Sequence, residues 1–181
     1  MRGDVLYGRR GMQLAMGLSF VDIALPTHAN LCLAFRIDSY VCSFGSADTF
    51  HGPYGKGGGR YLAHLVERIR AFPGCCVHAR DEHGIVGQIE LRPFPGEPKR
   101  GYVNLFYLVP EARGRGYGKQ LQRYAEQFFA ARQVERMYLD VSPTNAIARR
   151  FYDTQGGILE GPRQDRPELL RMSKAVPKVS R

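Results

Sequence analysis

Hydrophobic and polar positions alternate along the chain with two different periods, which divide it into helical and strand-like stretches. The run LSFVDIA at 18–24 predicts a first strand, and residues 26–45, which open with a Pro-Thr helix start, predict a helix. Apolar residues then recur every three or four positions over 60–72, which predicts a second, amphipathic helix. The stretch 52–59 between the two helices is typical of a glycine-rich loop.

After residue 74 the pattern changes to that of strands. Three runs, CCVHARD, GIVGQIELRP and GYVNLFYLVP, are joined by EHG and by FPGEPKR, lengths that suit antiparallel hairpins. The third run, at 102–109, is apolar on both faces apart from Asn104, as expected for a central strand. A glycine loop and a helix follow, and a strand at 135–142, a helix at 144–157 and two short strands complete the pattern.

This order predicts a single α/β (α+β) domain over residues 13–175, with a mixed, mostly antiparallel central sheet flanked by about four helices. The flanking segments are predicted to be a flexible basic N-terminal arm at 1–12 and a C-terminal tail at 176–181. The length of 181 residues, with 44% hydrophobic and 24% charged residues, agrees with one globular domain.

Charge and cysteine content narrow the classes of function. The net charge of +9 favours anionic partners such as phosphates, nucleic acid or acidic lipid. The four cysteines form no CxxC pair, which indicates reduced thiols in a cytoplasmic protein. The five histidines show no HxxxH or HExxH spacing, so no metal site is predicted. The sequence also lacks a run of eighteen apolar residues, so no membrane span is predicted.

The run EARGRGYGKQL at 111–121 lies between the third strand-like run and an amphipathic helix. It is not a P-loop, because Arg113 and Gln120 stand where that motif needs glycine and serine or threonine. It is not a dinucleotide fingerprint either, because Lys119 replaces the last glycine. Backbone N–H groups in the first turn of a helix lack partners, and glycines let a phosphate approach them. The run therefore favours a pyrophosphate cradle over a solvated basic turn or an RGG-type RNA-binding tract.

Two stretches together resemble a known family, the GNAT superfamily of acetyl-coenzyme A-dependent N-acyltransferases. The stretch LFYLVPEARGRGYGKQLQ resembles motif A of the family. That motif consists of an apolar strand, a proline and then the pattern [Gln/Arg]-x-x-Gly-x-[Gly/Ala], and Pro110, Arg113, Gly116 and Gly118 match it. The stretch SPTNAIARRFYDTQGG is similar to the second signature of the family, Asn-x-x-Ala-x-x-[Leu/Phe]-Tyr. The matching residues are Asn145, Ala148, Phe151 and Tyr152. The chain departs from the family where Gly157-Ile158 replaces a Gly-Phe pair.

The resemblance implies that the protein binds acetyl-coenzyme A as its cosubstrate, with no metal. The pyrophosphate would lie on the loop formed by Arg113, Gly114, Arg115, Gly116, Tyr117, Gly118 and Lys119. The pantetheine arm would pair with the strand backbone at Tyr107, Leu108 and Val109, where the strand of the family diverges from its neighbour. Asn145 is at the position that often contacts the same arm in the family.

The resemblance also implies acetyl transfer to a primary amine by direct attack in a ternary complex. Backbone N–H groups of the diverging strand would stabilise the oxyanion. Tyr152 would protonate the leaving thiolate, since the ordinary pKa of a phenol, near ~10, lies above that of a thiol, near ~8.5. Glu90 is the predicted general base, with Asn104 or a water relay as alternatives. Candidates for the acceptor pocket are His51, Tyr54 and Tyr107.

Two other functions remain open at the level of the sequence. A non-catalytic acyl-coenzyme A sensor would keep the loop 113–119 without depending on Tyr152. A basic nucleic-acid-binding protein is suggested by the net charge and by Arg2, Arg9 and Arg10, but no binding motif or aromatic cluster accompanies them, so nucleic acid is not the expected partner. The sequence neither predicts nor excludes that the protein forms a homodimer. The acceptor amine is not identified, because residues 26–72, where the family's specificity lies, carry no recognised signature.

Overall fold

The computed structural model of the protein describes residues 17–52, 55–94 and 96–178. The predicted basic arm at 1–12, with Arg2, Arg9 and Arg10, lies outside the described residues. So do Tyr54, a candidate for the acceptor pocket, and residues 179–181 of the predicted tail.

Seven strands and five α-helices follow one another along the described residues. The strands are β1 (Ser19–Asp22), β2 (Cys76–Asp81), β3 (Gly84–Phe94), β4 (Glu97–Leu108), β5 (Arg136–Val141), β6 (Ile158–Pro162) and β7 (Leu170–Ala175). The helices are α1 (Ala29–Phe44), α2 (Asp48–His51), α3 (Gly57–Ala71), α4 (Tyr117–Ala130) and α5 (Ala146–Thr154). A short 3-10 turn, Pro110–Ala112, leads from β4 to the loop before α4.

The seven strands form one sheet in the order β1-β2-β3-β4-β5-β7-β6. Neighbouring strands are antiparallel except for β4 and β5, which are parallel. That parallel contact is short, because only residues 100–102 of β4 pair with residues 136–138 of β5. Beyond Tyr102 the two central strands no longer pair, and one edge of β4 is left open.

A β-bulge in β4 coincides with the start of this opening. Glu90 of β3 pairs with Leu105, whereas the next residue of β3, Leu91, pairs with Val103. Asn104 is therefore the extra residue of the bulge, and a bulge both bends a strand and redirects its side chains. The bulge places the last four residues of β4 in a new orientation, beside the opening.

Helices cover both faces of the sheet. On one face, Phe35 of α1 packs in a buried cluster with Leu105 and Tyr107 of β4. On the other face, α4 approaches so closely that a Cβ on Gly101 would lie 2.3 Å from the ring of Phe129. Because the bulge inserts one extra residue, the odd-numbered residues of β4 change face at this point. Before the bulge they face α4, as Gly101 does, and after it they face α1, as Leu105 does.

The predicted fold class is confirmed. The chain forms one α+β domain around a mixed sheet in which one pair of strands is parallel. Of the five α-helices in the described residues, four have nine residues or more, in agreement with the prediction of about four flanking helices.

Several element boundaries differ from the prediction, and the largest differences are in two segments predicted as loop. Residues 57–59 were predicted as loop but form the first turn of α3. Gly57 is buried, and a Cβ there would lie 1.6 Å from the carbonyl oxygen of Phe50, so this glycine permits the close approach of α2 and α3. The predicted loop at 94–100 is mostly strand, since β3 runs to Phe94 and β4 begins at Glu97.

The residue after β7 packs in the core. Val176, which the prediction placed at the start of the C-terminal tail, is 7% exposed, and its N–H donates to the carbonyl of Glu135 at 2.9 Å. In the part of the chain that the structure describes, no helix combines the length and the apolar character that a membrane span requires.

Candidate active site

The first component of the site is the open backbone edge of β4. The carbonyl of Leu108 accepts a hydrogen bond from Arg113 Nε at 2.9 Å, whereas the N–H of Val109 points the other way and donates to Val86 of β3 at 2.9 Å. Backbone groups alternate in direction along a strand, so the N–H and C=O groups of Phe106 and Leu108 face the opening. An extended ligand can pair with such an edge as an added strand would.

The second component is the glycine loop before α4. Gly114 and Gly116 have φ values of 76° and 79°, and Gly116 is the N-cap of α4 without a capping side chain. A Cβ at either position would meet no heavy atom within 4 Å, so the backbone there is open to a ligand. The N–H groups of the first turn of α4 are thus accessible, an arrangement that binds phosphate.

Three cationic side chains border this loop. Arg113 turns back onto the fold, with Nε on the carbonyl of Leu108 and Nη2 3.5 Å from Asp38 Oδ2 of α1. Arg115 and Lys119 are exposed and form no ion pair with any residue that the structure describes. Two cations are therefore free of carboxylate partners near the helix N-terminus.

A cavity of about 510 Å³ runs from the glycine loop along β4 to α5. Eight of the predicted cofactor-binding residues line it: Tyr107, Leu108, Arg113, Gly114, Gly116, Gly118, Lys119 and Asn145. Val109, Arg115 and Tyr117 do not line it, and Tyr117 is only 6% exposed because its ring packs inward from the first turn of α4.

A second cavity, of about 190 Å³, adjoins the first at the opening between β4 and β5. Its walls come from α1, β4, β5, α5 and the segment between β6 and β7. Both cavities share six lining residues, namely Ser39, Ser43, Phe106, Asn145, Ala148 and Tyr152. Two ligands, one in each cavity, would therefore meet beside Tyr152 and the open edge of Phe106.

Tyr152 and Asn145, both on or next to α5, lie at this junction. Burial raises the pKa of Tyr152 above its ordinary value, and no described residue forms a hydrogen bond with its hydroxyl. Its proton is therefore retained at neutral pH and is free to be donated. Asn145 caps α5, since its Oδ1 accepts from Ala148 N at 3.1 Å, and its Nδ2 donates to Ser43 Oγ at 3.3 Å.

Glu90, the predicted general base, lies outside both cavities. Its side chain is 1% exposed and forms an ion pair with Arg68 of α3 at 2.8 Å. Its Oε1 accepts hydrogen bonds from the Tyr61 hydroxyl at 2.6 Å and from Gln88 Nε2 at 2.9 Å. The carboxylate is fully engaged between β3 and α3, and this geometry favours a structural role.

Asn104, the predicted alternative base, and the described acceptor-pocket candidates lie in different places. Asn104 lines the second cavity, and its Oδ1 is buried without a hydrogen-bond partner among the described residues. Tyr107 lines the first cavity, and its hydroxyl donates to Asp38 Oδ2 at 2.7 Å. His51 lines neither.

Several lining residues were not predicted from the sequence. They are Ser39, Cys42 and Ser43 of α1, Asp140 of β5, and Arg163 and Arg166 between β6 and β7. No motif marks them, because segments that are far apart in the sequence bring them together. No group of three or more histidine, cysteine, aspartate or glutamate side chains suited to a metal ion is found in the part of the chain that the structure covers.

This α+β fold combines an open strand edge, a cationic glycine loop at a helix N-terminus and two joined cavities, an arrangement suited to a ligand with an anionic end and an extended arm. Residues 44–156 match the family model described as the acetyltransferase (GNAT) family. The protein belongs to the acetyltransferase (GNAT) family, and the resemblance and the enzyme class predicted from the sequence are confirmed.

Solved structures support the same fold. The PaiA N-acetyltransferase from Thermoplasma acidophilum, solved in complex with coenzyme A, is similar over 88% of this chain and 99% of that chain, with a TM-score of 0.70 and 17% identity. The ribosomal-protein-alanine N-acetyltransferase from Brucella melitensis is similar over 87% of this chain and 99% of that chain, with a TM-score of 0.67 and 22% identity. At these identities the similarity concerns the fold.

Proposed function

We propose that the protein transfers the acetyl group of acetyl-coenzyme A to a primary amine by direct attack in a ternary complex. The observation that carries the proposal is the junction of the two cavities beside Tyr152. The larger cavity is suited to the cofactor and the smaller one to the amine. Membership of the family supports the choice of acetyl donor, and the structure of the PaiA enzyme with coenzyme A supports the choice of cofactor.

The residues of the larger cavity fit coenzyme A. Gly114 and Gly116 leave space over the first-turn N–H groups of α4, where a pyrophosphate would be bound. Lys119 carries a charge that no described carboxylate neutralises, at a position that suits the same phosphates. The backbone edge at Phe106 and Leu108 suits the amide groups of pantetheine. Ile147 of α5 is 78% exposed in this cavity, an apolar surface that the cofactor would cover.

The residues at the junction have distinct roles. When bound, acetyl-coenzyme A supplies an activated acetyl thioester. The N–H groups of Phe106 and Leu108 face the opening and can stabilise negative charge on a carbonyl oxygen there. Tyr152 is protonated at neutral pH, as any phenol with an ordinary or raised pKa is, and its hydroxyl, which has no hydrogen-bond partner among the described residues, can donate that proton to the leaving sulfur.

A water molecule is the proton acceptor that the geometry favours. Glu90 is enclosed by three partners and does not reach either cavity. Asn104 lies at the bulge in the wall of the second cavity, where its buried Oδ1 lacks a partner and can hold a water. Such a water can carry the proton of the amine to solvent, which is the relay predicted as an alternative to Glu90.

The proposal is tested by coenzyme A release over a panel of amines, together with calorimetric titration of acetyl-coenzyme A. We expect binding of the cofactor and turnover of at least one amine. Bound cofactor should also stabilise the fold by about 2.7 kcal/mol at a hundred times its Kd. Absence of binding at millimolar cofactor would overturn the proposal, and binding without turnover on any amine would favour the sensor.

A further inference from the structure

We propose that the acceptor amine carries a negatively charged group and that Arg36 binds this group in the second cavity. The inference rests on the proposed function, because it names the class of amine that the same site would accept. Among the described lining residues, the charges of this cavity favour an anion over a cation.

The carboxylate in the wall of the second cavity is already fully paired. Asp140 is 4% exposed, and its Oδ2 lies 2.6 Å from Arg163 Nη1 while its Oδ1 lies 3.1 Å from Arg171 Nε. The hydroxyl of Tyr102 donates to it as well, at 2.5 Å. A buried carboxylate with three such partners attracts a cationic substrate only weakly, because its charge is neutralised locally.

Arg36 differs from the other arginines of this region. Arg163 also pairs with Asp165, and Arg166 pairs with Glu168 at 2.9 Å. Arg36 has no carboxylate partner within the part of the chain that the structure describes. Arg36 therefore gives the second cavity one positive charge that no described carboxylate neutralises.

The guanidinium of Arg36 is held in a fixed position. Its Nη1 donates to the carbonyl of Asn104 at 2.9 Å, and its Cζ lies 5.4 Å from the ring centroid of Tyr40 and 5.8 Å from that of Tyr61. The remaining N–H groups of Arg36 form no hydrogen bond with a residue that the structure describes, so they are available to a ligand. A fixed planar guanidinium binds a carboxylate or phosphate through parallel N–H···O bonds, with little loss of side-chain entropy.

The position of Arg36 on α1 also sets the length of the ligand. Arg36, Ser39 and Ser43 lie on one side of α1, and both serines line the junction with the cofactor cavity. At 1.5 Å of rise per residue, the junction lies roughly 5 to 10 Å along the helix from Arg36. An amine joined to an anionic group by a short chain would span this distance.

A second arginine adds positive potential behind the cavity wall. Arg92 of β3 has its Cζ 5.0 Å from the ring centroid of Tyr102, which lines the cavity, and it forms no ion pair with a described residue. Its pKa is lowered by burial and by the neighbouring charge of Arg68, which is the expected effect of crowded cations. A polycationic amine would be repelled from such a site.

The test compares three amines of matched length, 4-aminobutyrate, its neutral amide and 1,4-diaminobutane. Coenzyme A release is measured with each amine at saturating acetyl-coenzyme A, and each amine is titrated calorimetrically into the protein loaded with coenzyme A. We expect kcat/KM for the carboxylate to exceed that for the amide by about 10- to 100-fold, the range typical of charge-assisted hydrogen bonds. The titration should show the same order of affinity.

Substitutions of single arginines distinguish a local effect of Arg36 from an effect of the total charge of the protein. Arg36→Gln should remove the preference for the carboxylate, and Arg36→Lys should keep part of it, because lysine retains the charge but not the planar fork. Arg70→Gln is the matched control, since Arg70 is an exposed arginine of α3 that lines neither cavity. Thermal unfolding and the Kd of acetyl-coenzyme A show whether each variant is folded.

Each outcome of these experiments either supports or overturns the inference about Arg36. Equal turnover of the carboxylate and the amide, or a preference for the diamine, overturns the inference and leaves the proposed function intact. An equal loss in Arg36→Gln and Arg70→Gln also overturns it, because bulk charge would then explain the preference. If no probe is acetylated and the carboxylate gives no binding heat, the inference fails. Failure of acetyl-coenzyme A itself to bind is the separate result that overturns the proposed function.

Discussion

At the scale of single residues, the glycines at the start of α4 serve different physical purposes. Gly116 has a left-handed backbone and empty space where a Cβ would stand. Gly118 stands within α4, and a Cβ there would lie 2.9 Å from Phe151. A substitution at Gly116 therefore acts mainly on the ligand, whereas one at Gly118 acts on the packing of two helices.

We expect Gly116→Glu to abolish binding of acetyl-coenzyme A, because its carboxylate would stand over the N–H groups assigned to the pyrophosphate. Gly116→Ala is the matched control. It carries the same left-handed strain, roughly 1–2 kcal/mol, without the charge. Calorimetry should give a Kd for the glutamate variant at least about 10-fold weaker than for the alanine variant. Equal affinities would contradict the cradle.

We expect Tyr152→Phe to lower kcat by about 10²- to 10⁴-fold, the usual contribution of a general acid, with the Kd of acetyl-coenzyme A unchanged. Stability should hardly change, since the hydroxyl has no hydrogen-bond partner among the described residues. Tyr124→Phe is the control, because that hydroxyl donates to the carbonyl of Gly74 and lines neither cavity. Similar kcat values for the two variants would argue against the acid role.

The pH profile gives a second measurement on Tyr152. Burial raises its pKa, so the phenol remains protonated above its ordinary pKa of about 10. The proton donor is thus present throughout the range from about pH 7 to pH 10, and kcat should not fall there. A fall in kcat centred near pH 8 that disappears in Tyr152→Phe would contradict this assignment.

Glu90 is expected to contribute to stability more than to catalysis. Removing one partner of a buried ion pair leaves the other charge uncompensated, so Glu90→Gln should lower the free energy of unfolding by about 3 kcal/mol. The folded variant should keep kcat within about 10-fold of the parent. Denaturant titration and the coenzyme A assay measure the two effects. Unchanged stability with a 100-fold or greater loss of kcat would instead identify the base.

At the scale of elements, the contact between α4 and α5 links the two halves of the site. Gly116 at the start of α4 is assigned to the phosphates, and Tyr152 of α5 to the proton transfer. The two helices meet where Gly118 faces the ring of Phe151, the residue directly before Tyr152. The absence of a side chain at Gly118 therefore sets how close α5, with Tyr152, lies to the first turn of α4.

We expect Gly118→Ala to reduce kcat by about 10-fold or more, because displacement of Phe151 would move Tyr152, and shifts on the order of 1 Å are costly in catalysis. The free energy of unfolding should change by less than about 1 kcal/mol, since the better helix propensity of alanine offsets the new contact. Phe151→Leu in the same background should restore part of kcat. A purely additive double mutant would contradict the coupling.

At the scale of the whole molecule, the sequence predicted most of the order of elements, and it predicted the strand and the glycine loop that border the larger cavity. Those features depend on local patterns, such as the strand before Pro110 and the glycines that follow it. Asn145 was likewise predictable as a helix cap, since the preference of asparagine for that position is local.

The second cavity was not predictable in the same way. Arg36 and Arg163 are 127 positions apart in sequence and reach the same cavity because α1 and the segment between β6 and β7 both border it. Glu90 lies on the strand beside β4, as predicted, but alternation in β3 directs its side chain towards Arg68. The bulge at Asn104 also has no sequence signal, although it determines which residues of β4 face each helix.

The short contact between β4 and β5 has a consequence for how the molecule opens. The sheet consists of two parts. One part contains β1, β2, β3 and β4, the other contains β5, β7 and β6, and three residue pairs join the two parts directly. Such parts can open independently and exchange their amide hydrogens at different rates. A bound pantetheine arm would act as an additional strand between them and couple their unfolding.

Hydrogen exchange measured with and without coenzyme A tests this coupling. The amides of Phe106 and Leu108 should gain protection on binding, together with amides of β5 across the opening, whereas those of β2 should change little. Protection confined to the glycine loop would contradict the coupling. On this prediction the acetyl donor would also be a structural element, and its binding would complete the sheet as one cooperative unit.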